Sequence, residues 1–167
     1  MYEKEKSMED IKKQIEKVVI NAGIGRASQQ AQFEDKILPE IEKDFATITG
    51  QKPSERKAKK SIAGFKTRAG QIVGLTATLR GARMTDFFER LVNLALPRVK
   101  DFRGLALSNV DTNGNLNIGL REQTVFPEID LEKTKVTFGI QITVVPKEKN
   151  RDSAIDFYRR SGVPLKK

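Results

Sequence analysis

IVGLTATLR, residues 72–80, alternates apolar and polar side chains with the period of a β-strand. Val73, Leu75, Ala77 and Leu79 fall on one face, and Thr76, Thr78 and Arg80 on the other. One apolar and one polar face is the pattern of an antiparallel sheet covered on a single side. Residues 52–68, immediately upstream, have the opposite character: seven positive side chains against one negative. The expectation is a hairpin over residues 61–80, with KTRAG at its tip.

Moving outward, KVVINAGIG (17–25) reads as a second strand. Val18 and Ile20 point one way, Lys17, Val19 and Asn21 the other, and Gly23 and Gly25 end it. SMEDIKKQIE (7–16) has the form of a short helix, with Ser7 as cap and Asp10 at the third position. Residues 28–49 carry helical apolar spacing through Phe33, Ile37, Leu38, Ile41, Phe45 and Ile48; Pro39 predicts a kink or a division there, and Gly50 a left-handed end. Downstream, RMTDFFERLVNLALPRV (83–99) is a helix whose stripe is Met84, Phe87, Phe88, Leu91, Leu94 and Ala95, closed by Pro97. LNIGLR (116–121) and VTFGIQITVV (136–145) read as strands, the second with Phe138, Ile140, Ile142 and Val144 on one face, and RDSAIDFYRR (151–160) as a last helix. DTNGN (111–115) is a turn.

The order β-α-β-β-α-β-β-α predicts an α+β fold in one domain spanning 1–167. Helices cover one face of an antiparallel sheet, the other face is free for RNA, and a basic hairpin loop protrudes. Residues 1–16 form a short arm, 17–82 an N-terminal half with the binding strands, and 83–167 a C-terminal half.

The chain has 167 residues and contains no cysteine, histidine or tryptophan. Disulfides, the usual zinc sites and histidine-activated nucleophiles are thereby excluded. No apolar run is long enough to span a bilayer, and the charged N-terminus is not a secretory signal, so a cytoplasmic protein is expected. With 31 Lys and Arg against 22 Asp and Glu, the net charge is +9, the long-range signature of a polyanionic partner.

Lys17, Asn21, Thr76, Thr78 and Arg80 share the polar face, and the basic segment borders it. Cations neutralise phosphates, while Asn, Gln and Thr bond sugars and base edges. Thr is also a good strand former on any solvated face, so Thr76 and Thr78 count only in combination with the charge. No aromatic side chain lies on that face, which points to structured RNA read by shape, backbone and 2′-hydroxyls. Gly23-Ile24-Gly25 is followed by Arg26-Ala27 and lacks the Gly-Lys-Ser/Thr of a phosphate loop; its glycines serve a turn or a close approach. Glu128 and Asp130 could ligate magnesium in a nuclease, and Asp86 and Glu89 lie on one helix face with Arg90, but isolated carboxylates at such spacings are usually solvated or paired. No catalytic residue, metal or cofactor is expected. A free RNA chaperone or regulator is the alternative to a fixed structural role.

Several motifs in order, KVVINAGIGRA (17–27), ITGQKP (48–53), KAKKSIAGFKTRAG (57–70), TLRGARM (78–84), LVNLALPRVKDFRG (91–104), REQTVFPEI (121–129) and ITVV (142–145), resemble the bacterial 5S-rRNA-binding protein family of the large ribosomal subunit. The resemblance covers about residues 15–165. It implies a non-catalytic ribosomal constituent in the central protuberance, with 5S rRNA, 23S rRNA, neighbouring protuberance proteins, P-site tRNA and a small-subunit head protein as partners, and no membrane. By motif position it implies rRNA contacts at Asn21, Gln51 and Thr78, with Lys17, Lys52, Lys59, Lys60 and Arg80 neutralising phosphates; Gly23 and Thr76 complete the rRNA set. The tRNA-facing loop of the family matches FKTRAGQIVG, so Lys66, Arg68 and Gln71 are the candidates there. The chain departs from the family pattern in its shortened charged N-terminal segment, in Pro39 within the helix after the first strand, in Ala69 where a charge is usual, and in Asn113 where a basic residue is common.

Overall fold

The computed structural model describes residues 11 and 13–166. Five strands form one sheet: β1 (Ile15–Gly23), β2 (Ser54–Lys57), β3 (Ile72–Leu79), β4 (Leu116–Leu120) and β5 (Ile140–Pro146). The order across the sheet is β2-β3-β1-β5-β4, and every neighbouring pair is antiparallel. The α+β class and the antiparallel sheet are as expected.

The apolar halves of the alternating strands meet on one side. Val18, Ile20 and Ala22 of β1 stand opposite Leu79, Ala77 and Leu75 of β3 and beside Val144, Ile142 and Ile140 of β5, all buried. Three helices supply most of the other half of the core: α1 (Leu38–Thr49), α2 (Gly81–Arg90) and α3 (Arg151–Arg160). Phe45, Phe87, Phe88, Phe126 and Tyr158 are fully buried, and the rings of Phe87 and Phe126 stack with centroids 5.9 Å apart. Burying each such side chain contributes about 1.5–3 kcal/mol, so this layer dominates the stability.

Several expected boundaries shift, each for a local reason. Residues 11, 13 and 14 are helical, but β1 already begins at Ile15 rather than at residue 17; Ser7 and Asp10, the expected cap residues, lie outside the described residues. The helix expected over 28–49 is a short 3-10 turn at Ala27–Gln29, a π turn at Phe33–Ile37 and then α1. Pro39 occupies the first turn of α1, where its missing N–H costs nothing, and Gly50 ends the helix at φ 67°.

The hairpin leading to β3 is wider than 61–80, because its first strand is β2, Ser54–Lys57. All four residues of β2 are exposed and offer no apolar alternation, and its Glu55, Arg56 and Lys57 blunt the sheet edge with charge. At the start of β3 it is Ile72, not Val73, that joins the core.

In the long helix, Leu94 is 47% exposed instead of buried, while Val92 and Leu96 pack inside. A π turn at Leu91–Ala95 follows α2 and leads into a short helical segment, Leu96–Arg98. Its extra residue per turn rotates the apolar stripe past Leu94.

Finally, β5 starts at Ile140, four residues later than expected. The buried side chain of Gln123 takes the place of a strand there: its Nε2 donates to the Val136 carbonyl at 2.7 Å and its Oε1 accepts from the Phe138 N–H at 2.9 Å.

A candidate nucleic-acid interface

Pairing turns the outward halves of the strands into cross-strand rows. Ser54 pairs with Thr76, Thr76 with Asn21, Asn21 with Gln141, and Gln141 with Gly119, so one uncharged row crosses all five strands. Two residues along, Thr78, Val19, Thr143 and Asn117 form a second row, in which the Thr143 hydroxyl donates to Asn117 Oδ1 at 2.8 Å. Hydroxyls and amides in a fixed register present directional donors and acceptors with little conformational freedom left to lose. Asn21, Thr78, Thr143 and Asn117 are half-buried and Gln141 is exposed, whereas Thr76 retains only 7% of its surface.

Cations stand at the ends of this neutral field. Lys17 and Arg80 each lie one residue beyond the Val18–Leu79 pair, with Arg80 exposed and Lys17 3.4 Å from the Glu16 carboxylate. At the opposite end, β1 leaves the sheet through Gly23, where an added Cβ would meet nothing within 4 Å. A surface that approaches the sheet there reaches bare backbone.

Gln51 follows the left-handed end of α1. Its N–H donates to the Thr49 hydroxyl oxygen at 3.3 Å, and its carbonyl accepts from the same hydroxyl at 2.9 Å, which fixes its backbone three residues before Ser54. Lys52, Lys59 and Lys60 are exposed on the chain that leads from there into the hairpin connection.

That connection, residues 58–71, is hydrogen-bonded along its length. Ala58 and Gly70 extend the ladder, Ile62 pairs with Thr67, and the Ser61 hydroxyl accepts from the Ala69 N–H. Lys66, at φ 51°, and Arg68 are exposed. Gln71 is not turned to solvent in the same way: its Nε2 donates to the Ser28 carbonyl and hydroxyl, and its Oε1 accepts from the Arg68 N–H. The geometry makes Gln71 a brace for the turn that carries Lys66 and Arg68.

The outward residues of β4 and β5 were not among the sequence candidates. The alternation of QITVV does point Gln141 and Thr143 away from the core, but it does not say that Gln141 sits beside Asn21. That follows only from the pairing of β1 with a strand far along the chain.

The two magnesium-ligand candidates, Glu128 and Asp130, are engaged elsewhere. Glu128 pairs with Arg90, which also bonds Asp86 at 3.2 Å and the Ile48 carbonyl at 3.3 Å. Asp130 accepts from Lys133 at 2.9 Å, and that ammonium, with the Glu132 N–H, holds its carboxyl below the ordinary value. Among the described residues no three carboxylates gather around a point, and no helix is long and apolar enough to cross a membrane.

Two family models match the chain: ribosomal protein L5 over residues 7–68, and the C-terminus of the same ribosomal family over residues 72–165. The chain is 47% identical over 150 residues to the large ribosomal subunit protein uL5 of Chloroflexus aurantiacus, covering 90% of this chain and 81% of that protein. It is 45% identical over 153 residues to the uL5 protein of Fusobacterium nucleatum, covering 92% and 81%. The uL5 protein of Syntrophomonas wolfei is 45% identical over 152 residues, covering 91% and 83%.

Proposed function

Because the chain belongs to the ribosomal protein L5 family, a structural constituent of the large ribosomal subunit and not an enzyme, we propose that the open face of its sheet is the surface that binds 5S rRNA. It works in the cytoplasmic ribosome, among rRNA and neighbouring proteins of the central protuberance. The observation that carries the reading is the uncharged row from Ser54 to Gly119, with Lys17 and Arg80 beyond one end of the strands and the exposed Lys59 and Lys60 beyond the other. Neutral donors and acceptors in register recognise base and sugar edges, and the peripheral Lys and Arg side chains hold the backbone on either side. Asn21, Gln51 and Thr78 make the specific contacts in this reading. Lys17, Lys52, Lys59, Lys60 and Arg80 neutralise phosphates of 5S and 23S rRNA.

The turn with Lys66 and Arg68, braced by Gln71, faces the P-site tRNA in the same reading. The far end of the molecule joins the bridge to the small-subunit head. Support for the latter is the rigidity of the DTNGN turn: Asp111 Oδ1 accepts from the Asn113 and Asn115 N–H groups, and the buried Tyr158 hydroxyl donates to the Gly114 carbonyl at 2.8 Å.

The test is binding to 5S rRNA and to a structured control RNA of equal length over a salt series. The expected result is a preference for 5S rRNA that survives at physiological salt. Equal binding that collapses together for both RNAs would leave charge without recognition and favour a free RNA chaperone.

A further inference from the structure

Beyond the Gly23 end of the sheet lies an open groove of about 1220 Å³, bounded by the 24–27 segment, the 58–67 turn and the approach to β5. Its floor is apolar, with Ile24 and Phe138 buried beneath it. Its lip carries two of the large hydrophobic side chains that the described residues leave exposed: Phe65 at 72% and Ile62 at 50%. They stand three residues apart on one 3-10 turn, and they are held there. Ile62 and Thr67 exchange backbone hydrogen bonds of 2.9 and 3.1 Å, and Gln29 Nε2 donates to the Phe65 carbonyl at 2.7 Å, tying the turn to the 27–29 segment. A ring kept in water by a fixed backbone is a prepared contact surface, since a floppy turn would fold it away.

The charge around the groove selects the partner. Arg26, Lys59, Lys60, Lys66 and Arg121 line it, and among the described residues no Asp or Glu does. Five cations without an anion attract a polyanion and repel a second copy of a chain whose net charge is +9. An exposed aromatic ring inside a cationic rim is the arrangement that binds unpaired nucleotides, with the base stacked on the ring and the flanking phosphates on the cations.

We infer that this groove binds an unpaired nucleotide extruded from an RNA helix, stacked against Phe65 and Ile62, with its phosphates held by Lys59, Lys60 and Arg121. The inference rests on the RNA-binding reading above and extends it: among the described residues the open face of the sheet has no aromatic platform, and the groove supplies one at its edge.

The experiment compares short RNA stem-loops that are fully paired with the same stem-loops carrying one unpaired A, C, G or U, alongside 5S rRNA and a control RNA, for the parent and for Phe65→Ala, Phe65→Tyr and Asn21→Ala. Phe65 is exposed, so its variants leave the core intact. The parent is expected to prefer at least one unpaired-nucleotide stem-loop by about tenfold, the worth of one stacked base. Phe65→Ala erases that preference, Phe65→Tyr keeps it, and Asn21→Ala leaves it unchanged. Equal affinity of the parent for all the stem-loops, or a preference that persists in Phe65→Ala, overturns the groove. So does a dimer of the parent that Phe65→Ala dissociates in sedimentation, which would assign the lip to a second copy. The two readings fail separately. Loss of the stem-loop preference with 5S rRNA preference intact and sensitive to Asn21→Ala sinks only the groove. A Phe65-dependent stem-loop preference without any preference for 5S rRNA supports the groove and sinks the assignment of the cognate RNA.

Discussion

Across the open face, Ser54, Thr76, Asn21 and Gln141 carry no charge, and their spacing is set by strand pairing between segments distant in sequence. In the connection at 58–71, Lys59, Lys60, Lys66 and Arg68 are exposed, and they ride on a turn held by its own backbone bonds and by two side-chain ties to the 28–29 segment. In the proposed reading, this difference divides two tasks within one small domain. Directional neutral bonds need a rigid frame to be selective, and the sheet is that frame. Cations act at longer range and tolerate imprecise placement, so a turn suffices for them.

The contrast can be broken most severely by removing the frame. Gln123→Ala takes away the side chain that bonds Val136 and Phe138 just before β5, leaving a buried N–H and a partly buried carbonyl without partners. The expected loss is about 3 kcal/mol of folding stability, read as a lower urea midpoint. An unchanged midpoint would mean that β5 does not depend on this substitute for a strand.

Next in size is the contrast itself. Asn21→Ala is expected to weaken 5S rRNA binding by about 1–3 kcal/mol, with the salt dependence unchanged and the fold intact by circular dichroism. Gln141→Ala, its neighbour in the row, should follow in the same direction. If both variants bind as the parent does, the neutral row is not the recognition surface.

The smallest effect belongs to a single cation. Lys59→Ala is expected to weaken all RNAs alike and to lower the slope of log affinity against log salt by about one. A loss confined to 5S rRNA would show that Lys59 reads rather than steers, and would narrow the distinction between the two regions.

How much of this was legible beforehand depends on whether the governing contacts are local. The alternation in β1 and β3 located Asn21 and Thr78 on the outward face, because period two is a property of consecutive residues. β2 was not legible, since Ser54–Lys57 is polar throughout and becomes a strand only by pairing with β3. The outward position of Leu94 came from a π turn whose extra residue leaves no mark in the apolar spacing. The late start of β5 depends on Gln123, a side chain from another segment. For the site, residue types and charge pointed to the outward face, but the partnership of Asn21 with Gln141 needed the sheet order. The role of Gln71 needed its bonds to Ser28, 43 residues earlier.

The place of β1 in the sheet has a consequence for how the protein is made. It is the first of the five strands to leave the ribosome that synthesises it, yet its two partners are β3 and β5. Roughly 120 residues separate the end of β1 from the start of β5, a delay of about 6–25 s at ordinary rates of elongation. Throughout that interval this central strand has at least one uncovered edge, and the neutral row is incomplete. In the proposed reading, recognition by the full row waits for β5, and a nascent chain halted before Ile140 carries the charged turn without that row.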